Sequence, residues 1–338
     1  MASDHACPLG LDIVNIVVVV CGGLTETLQA APLMAALSAG VDDPVLVVCP
    51  ASATDLAQGL RGADHFLPVR GLEVRPSPLA LGRLWKELRS RRLDVAVVCS
   101  ERGSVRAAVY ASGIPRRIGC AGGLSDHLLS EALPCPPGGN RSQAWLGLAG
   151  ALGLAGRPGS AEFLPPAEAG RTAEQLLLSR GVGDGRLLVA IAPGDGFADG
   201  GAAPWGPERF AHLANRLATR HGAGVILVGD PGDHEIAESM LLDLAADTVD
   251  LCGELDLATT AAVIARCDLL ISTDTPLLHL AAAVGTASVG LFGPTDGRVR
   301  APAGGQHRVV QALPGGRGPA SLERIRVDDV LAGIETAL

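Results

Sequence analysis

The stretch ISTDTPLLHLAAAVGTASVGLFGPTD, Ile271–Asp296, reads as the end of one strand, a helix and a second strand. Leu269–Ser272 is a short, continuous apolar run, the mark of a strand buried on both faces. Asp274 or Thr275 stands where a helix N-cap belongs, and Pro276 follows at the first helical position, where its missing N–H costs nothing. Pro276–Val284 continues as a Leu- and Ala-rich helix, and Ser288–Phe292 is the next apolar strand. Strand, helix and strand in this order imply a parallel sheet with helices packed on its faces.

The same helix start carries a chemical expectation. Its unpaired N–H groups form an anion site, for which a diphosphate is a natural occupant. His279 lies about one turn in and can donate to a phosphate oxygen. On spacing alone, the same residues serve equally well as a cap, a first turn and a histidine packed beneath the sheet.

Outward from this stretch the pattern repeats. The second half reads as helix Ala167–Arg180, strand Leu187–Ala192, helix Pro207–Arg220, strand Val225–Val228 and helix Glu235–Leu242. Strand Val249–Cys252 and helix Leu257–Ala265 lead into the quoted segment, and Val327–Leu338 reads as a last helix. A Gly-, Pro- and Ser-containing break at Ala151–Pro166 separates this half from a first half of the same kind. There the β-branched runs Ile13–Cys21, Val45–Cys49 and Val95–Cys99 alternate with helical stretches such as Ala30–Leu37 and Leu79–Arg91. The expected fold class is therefore α/β, with two Rossmann-like doubly wound parallel sheets facing a cleft. The expected domains are 1–160 and 161–325, followed by a C-terminal helix over 326–338. In such sheets ligands bind beyond the carboxyl ends of the strands, which directs attention to the residues after each strand.

Composition narrows the class. The 338 residues suit two domains, and 48% hydrophobic content is enough for two buried sheets. A net charge of −9 with only 3% aromatic residues argues against a nucleic-acid partner, which needs a basic stripe and stacking rings. None of the 8 Cys forms a C-x-x-C pair and several sit in apolar runs, so buried structural thiols in a reducing compartment are expected, not zinc sites or disulfides. The N-terminal residues lack the basic start and apolar core of a signal peptide, and no apolar run is long enough to span a membrane. The chain is expected to be cytoplasmic, with no transmembrane segment.

Ile271–Asp296 resembles the signature of glycosyltransferase family 9, the heptosyltransferases, whose pattern is roughly D-T-G-x-x-H-x-A-A-A-x-G-x-P-x-x-x-L-F-G-P-T. Asp274, Thr275, His279, Ala281, Ala282, Ala283, Gly285 and the run Leu291–Thr295 match it. Pro276 stands where the family has Gly, and Ala287 where it has Pro. The resemblance implies that Asp274, Thr275 and His279 contact a nucleotide-sugar, with Pro276 keeping the helix start but removing one N–H.

Further segments carry the same resemblance. Pro193, Gly194, Trp205, Glu208 and Phe210 match the family's P-G loop and K-x-W-P-x-E-x-F segment, but the phosphate-contacting basic residue falls on Ala203. VILVGDPGDHEIAESM is similar to a strand followed by G-x-P-x-[DE]. It makes Asp230, Asp233 and Glu235 candidates for the ribose hydroxyls, with surface capping the alternative for at least two of them. Gly253, Glu254 and Leu255 follow the next strand and are candidates for the base pocket. In the first half, CGGLTETLQAAPLMAAL resembles G-D-x-x-x-x-x-P. Aligning on Pro32 puts the family's catalytic Asp on Glu26, which by position alone reads rather as a first-turn acid favoured by the helix dipole. SERGSVRAAVYASGIPRRIGC resembles the family's R-loop and P-x-R-I-G segment, through Arg106, Arg116, Arg117, Ile118 and Gly119. Arg102 and Arg106 are candidates to hold an anionic acceptor.

The resemblance thus implies a metal-independent, inverting glycosyltransferase without cofactor. It takes a nucleoside-diphosphate sugar and a glycan, lipid-linked or natural-product acceptor, with Glu26 as general base. The departures at Glu26, Pro276 and Ala203 keep two alternatives open: a non-catalytic nucleotide-binding or partner protein of the same fold, and a nucleotide-sugar epimerase.

Overall fold

The computed structural model describes residues 15–41, 43–135, 138–154, 161–182, 185–194, 205–244, 248–303, 306–313 and 321–335. The chain divides into two compact units, Met1–Glu162 and Phe163–Leu338.

The first unit holds strands β1 (Ile16–Val20), β2 (Leu46–Pro50), β3 (His65–Val69), β4 (Val95–Cys99), β5 (Arg116–Ala121) and β6 (Glu131–Pro134). Its helices are α1 (Leu24–Ser38), α2 (Pro78–Arg89), α3 (Gly103–Ala111) and α4 (Arg141–Leu146). The strands form one sheet in the order β3-β2-β1-β4-β5-β6, every pair parallel. The second unit holds β7 (Leu188–Ala192), β8 (Gly224–Leu227), β9 (Thr248–Asp250), β10 (Leu269–Thr273), β11 (Ala287–Phe292) and β12 (His307–Gln311). Its helices are α5 (Ala167–Ser179), α6 (Pro207–His221), α7 (His234–Leu241), α8 (Leu257–Ile264), α9 (Pro276–Val284), α10 (Gly297–Arg300) and α11 (Val327–Glu335). This sheet runs β12-β11-β10-β7-β8-β9, again all parallel.

Counted from each unit's first strand, both sheets have the same order, third-second-first-fourth-fifth-sixth. The chain reverses its winding direction between β1 and β4, and again between β7 and β10. Those two gaps are the topological switch points, where helices on either side leave a crevice at the carboxyl ends of the strands.

The central strands β1, β4, β10 and β11 are buried along their whole length, which is why they stand out as unbroken apolar runs. Strands β3, β6 and β12 are sheet edges, only partly buried and mixed in character (HFLPV, EALP, HRVVQ), and their pattern does not mark them as strands. Helix α1 begins at Leu24, six residues before the apolar periodicity, and runs on through Pro32. Pro32 cannot donate to the carbonyl of Leu28, a local loss offset by a face that buries Leu28, Ala31 and Leu33.

The C-terminal helix is part of the second unit's core: Val330, Leu331 and Ile334 of α11 pack in one cluster with Val189, Leu213 and Leu291. Trp205 fastens the preceding segment. Its fully buried ring meets Phe210 edge-to-face at 4.6 Å, and its indole N–H donates to Ile325 O at 2.8 Å.

One expectation about the cysteines is corrected. Cys120 and Cys135 form a disulfide across a Cα–Cα distance of 5.5 Å. Cys120 pairs with Leu133 in the β5–β6 register, so Cys135 emerges two residues beyond its neighbour. Sequence spacing does not reveal that these strands adjoin. Cys21, Cys49, Cys99, Cys252 and Cys267 are buried thiols, as expected. No helix among the described residues is long and apolar enough to cross a membrane.

Candidate active site

In the second unit, Pro193, Gly194, Asp274, Thr275 and Pro276 lie at the β7–β10 switch point, while Asp230 and Leu255 follow β8 and β9. Strand β10 delivers Thr273, whose hydroxyl donates to Gly194 O at 2.8 Å. That bond joins the Pro193-Gly194 turn after β7 to the start of α9. Thr275 is the N-cap of α9, but its hydroxyl turns inward to a 2.7 Å hydrogen bond with Ser272 Oγ. The Thr275 N–H donates to Thr273 O and the Leu278 N–H to Thr275 O. With Pro276 lacking a donor, fewer N–H groups of this first turn face outward than a Gly in its place would allow. His279 is buried at 3% exposure on the same helix, and Pro276 is half-buried.

The Gly194 turn also touches the loop after β8. A Cβ at Gly194 would lie 2.1 Å from Asp233 Oδ1, so only glycine allows that approach. Asp233 Oδ2 accepts from the Asp230 N–H at 3.0 Å, and Asp230 Oδ1 accepts from the Gly232 N–H at 2.7 Å. Asp230 is exposed and organises its own loop; Glu235 is exposed on α7. Gly253 packs against Pro231, so the loop after β9 continues the same rim, with Leu255 half-buried just ahead of the Asp256 cap of α8. Pro193, Gly194, Asp230, Asp274, Thr275 and Leu255 therefore share one edge of one sheet.

Arg300 at this rim was not singled out from the sequence. It is the last residue of α10, and its guanidinium Nε is paired with Asp274 Oδ2. The Asp274 side chain is 13% exposed and the Arg300 side chain 25%. The signature motif ends at Asp296, four residues too early to flag it. Ala203, where the family's basic residue falls, lies outside the described residues.

In the first unit, Glu26 stands in the first turn of α1, beyond the carboxyl end of β1. Its Oε2 accepts from the Gly23 N–H at 2.8 Å. Gly22 has φ +147°, and a Cβ there would lie 2.5 Å from the carboxyl carbon. Glycine lets the carboxylate fold back over the turn. The other oxygen, Oε1, lies 3.9 Å from Nη1 of Arg141, the first residue of α4, which packs on α1. Arg141 is a second residue that the sequence did not flag. Its guanidinium also sits 5.9 Å from the Trp145 ring centroid.

Arg102 is exposed at the N-cap of α3, after β4. Its charge reaches Cys21, whose thiol burial pushes up to about 11, with Arg102 opposing the rise and Glu26 adding to it. Cys21, Glu26 and Arg102 thus share the β1–β4 switch point above a neutral thiol.

Arg106 differs from the expectation of an anion-facing side chain. It is 1% exposed. Its guanidinium donates to Ser100 O at 3.1 Å, Cys120 O at 2.6 Å, Ser125 Oγ at 3.3 Å and Asp126 Oδ1 at 2.5 Å. Gly122 also donates to Asp126, at 2.9 Å. Arg106 ties the ends of β4 and β5 to the Gly122–Asp126 loop, because a buried guanidinium needs all its donors met. Arg116 is likewise held within the unit, by Glu131 and Ala151 O, and Arg117 by the carbonyls of Ile114, Pro115 and Leu128.

Known proteins resemble this chain in sequence and in fold. The family model for glycosyltransferase family 9 (heptosyltransferase) matches residues 81–319. Lipopolysaccharide heptosyltransferase 2 of Escherichia coli K12 is 27% identical over 293 residues, 79% of each chain. A family 9 glycosyl transferase from Veillonella parvula superposes with a TM-score of 0.83 at 19% identity, covering 97% of this chain and 98% of that one. E. coli ADP-heptose lps heptosyltransferase II superposes with a TM-score of 0.75 at 22% identity, covering 96% and 98%. The resemblance read from Ile271–Asp296 is borne out: the chain belongs to glycosyltransferase family 9 and is a glycosyltransferase of heptosyltransferase type.

Proposed function

We propose that this enzyme moves a heptose or closely related sugar from a nucleoside-diphosphate donor to an acceptor hydroxyl, with inversion at the anomeric carbon. The second unit binds the nucleotide-sugar; the first binds the acceptor and provides the base. The observation that carries this reading is the convergence of Asp274, Thr275 and the Pro193-Gly194 turn at the β7–β10 switch point, joined by the Thr273–Gly194 bond. ADP-heptose is the donor named for the E. coli relative, and lipopolysaccharide the product class, which makes them the first donor and acceptor to try.

The chemistry follows from the groups. The acceptor oxygen attacks the anomeric carbon as the bond to the diphosphate oxygen breaks, and a single displacement inverts configuration. The hydroxyl proton passes to Glu26 Oε1, the oxygen not engaged by Gly23, and leaves later to water. The departing diphosphate takes the electron pair, and its charge is met by the start of α9 and by Arg300. Arg300 takes over the cationic part that the family gives to the residue at Ala203. With positive charge available from the chain, no metal ion is required.

Incubation with ADP-heptose and a heptose-deficient core saccharide tests this. Acceptor-dependent ADP release, an inverted glycosidic product and no loss of rate in EDTA are expected. ADP-heptose that neither binds nor turns over, or that is isomerised without acceptor, would overturn it.

A further inference from the structure

The run RPSPLALGRLWKELRSRR, Arg75–Arg92, holds six basic residues and one acid. It carries +5 in a chain whose total is −9, so the remaining residues carry −14. Helix α2 lies within it. Ala80, Leu84 and Leu88, spaced four apart, are buried against the sheet. Arg83, Lys86 and Arg89 lie on the opposite, exposed side. Glu87, the one acid, is paired with Arg91 at 2.8 Å.

Large apolar side chains accompany these charges. Leu79 is 64% exposed, Trp85 40% and Tyr110 of the neighbouring helix α3 53%. The chain has 3 Trp and a single Tyr, so the only Tyr and one of the Trp stand on this face. The other two tryptophans, Trp145 and Trp205, are buried. Trp85 is fixed rather than loosely exposed, because its indole N–H donates to Ala111 O at 3.1 Å at the end of α3. Guanidinium groups attend both rings: Arg89 lies 5.9 Å from the Trp85 centroid and Arg117 lies 5.1 Å from that of Tyr110.

We propose that the α2–α3 face is a docking surface for an anionic lipid bilayer. Arg83, Lys86 and Arg89 meet the negative headgroups, and Leu79, Trp85 and Tyr110 enter the interfacial layer, where amphipathic rings are favoured. Charge selects an anionic partner. The co-exposed leucine and aromatics select a surface with an apolar layer beneath its charges, which a soluble polyanion lacks. Nucleic acid fits less well, because base stacking needs open ring faces and here guanidinium groups lie over the rings. The apolar side of α2 is already packed on the sheet, so the contact is adsorption of a folded unit, and its strength depends on salt.

The test uses the full chain and needs neither donor nor acceptor, so it stands apart from the proposed reaction. Co-sedimentation is measured with vesicles of pure phosphatidylcholine and with vesicles containing about a third phosphatidylglycerol, at low and high salt. We expect binding to the anionic vesicles at low salt, at least tenfold weaker binding to the neutral ones, and loss at high salt. The Arg83→Gln/Lys86→Gln/Arg89→Gln variant should bind roughly 100-fold more weakly, taking the charge-by-charge contribution of basic residues at an anionic surface. Leu79→Ser should weaken binding a few-fold, and the variants should melt at the parental temperature. Tryptophan emission should shift to the blue on binding, reporting Trp85. Three results each overturn the proposal: no binding to anionic vesicles at low salt, equal binding by the triple variant, or capture by soluble polyphosphate without capture by vesicles.

Discussion

Replacing Glu26 by Gln tests the assignment of the base with little structural disturbance. The amide oxygen of Gln can still accept the Gly23 N–H that Glu26 Oε2 accepts at 2.8 Å, so the first turn of α1 keeps its cap. The oxygen facing Arg141 at 3.9 Å is replaced by, or exchanged with, a group that cannot take a proton. General-base assistance contributes typically ~10²–10⁴ in rate, or roughly 3–5 kcal/mol of barrier. The expected result is a fall in kcat of at least ~10² with donor KM changed by less than about threefold. Initial rates of nucleoside-diphosphate release across donor and acceptor concentrations give both constants, and a thermal melt checks the fold. Two variants sharpen the test. Glu26→Asp should keep part of the activity, because a carboxylate remains at shorter reach. Gly22→Ala should lower kcat with the carboxylate chemically intact, because the new Cβ falls 2.5 Å from it. A Gln variant that transfers sugar at near the parental rate refutes the reasoning. Asp195 and Asp199, which lie outside the described residues, would be the next positions to substitute.

Arg300→Gln should raise donor KM about tenfold or more and cost about 1–3 kcal/mol of stability, because the mostly buried Asp274 loses its partner; unchanged donor affinity by calorimetry removes Arg300 from the site. Asp126 is held below the usual carboxyl range first by the Gly122 N–H and also by Arg106, so its stabilising effect is full above about pH 4 and is lost as pH falls further. Asp126→Asn should therefore melt below the parent at pH 6, with the difference shrinking towards pH 3; a gap that persists in acid contradicts this account. Burial pushes the thiols of Cys49 and Cys267 up to about 12, so together with Cys21 they should resist alkylation at pH 8 in the folded chain and react on unfolding, as peptide mass spectrometry can show.

What the sequence made legible follows from burial. Strands β1, β4, β10 and β11 lie in sheet interiors, so selection for burial on both faces writes them as continuous apolar runs. Edge strands face solvent on one side, and β12, His-Arg-Val-Val-Gln, carries no such run. The helix start at Asp274, Thr275 and Pro276 was legible for a related reason: helix caps have local sequence rules. Arg141 and Arg300 were not. Each reaches its carboxylate from a separate helix, over sequence separations that no local rule spans. Arg106 shows the opposite failure. Its place after β4 suggests a side chain open to an anion, and only the fold reveals that Ser100 O, Cys120 O, Ser125 and Asp126 already take its donors.

The pairing of Asp274 with Arg300 bears on how this chain can depart from its family and keep the reaction. Two departures weaken the diphosphate grip in sequence: Pro276 removes an N–H from the first turn of α9, and Ala203 removes a basic side chain. Both losses concern the same leaving group, so a single compensating cation beside α9 answers both. In the proposed reaction Arg300 takes that place. It emerges at the end of α10, and its guanidinium is oriented by a carboxylate that is 13% exposed. A guanidinium is a planar fork, so its Nε contact with Asp274 fixes the direction in which its charge is presented. A lysine offers a point charge with no such fork. Arg300→Lys should therefore keep the charge, lose the fixed orientation and raise donor KM almost as far as Arg300→Gln does. If Lys restores full donor affinity, charge alone is what the site needs, and the orienting part given to Asp274 is wrong.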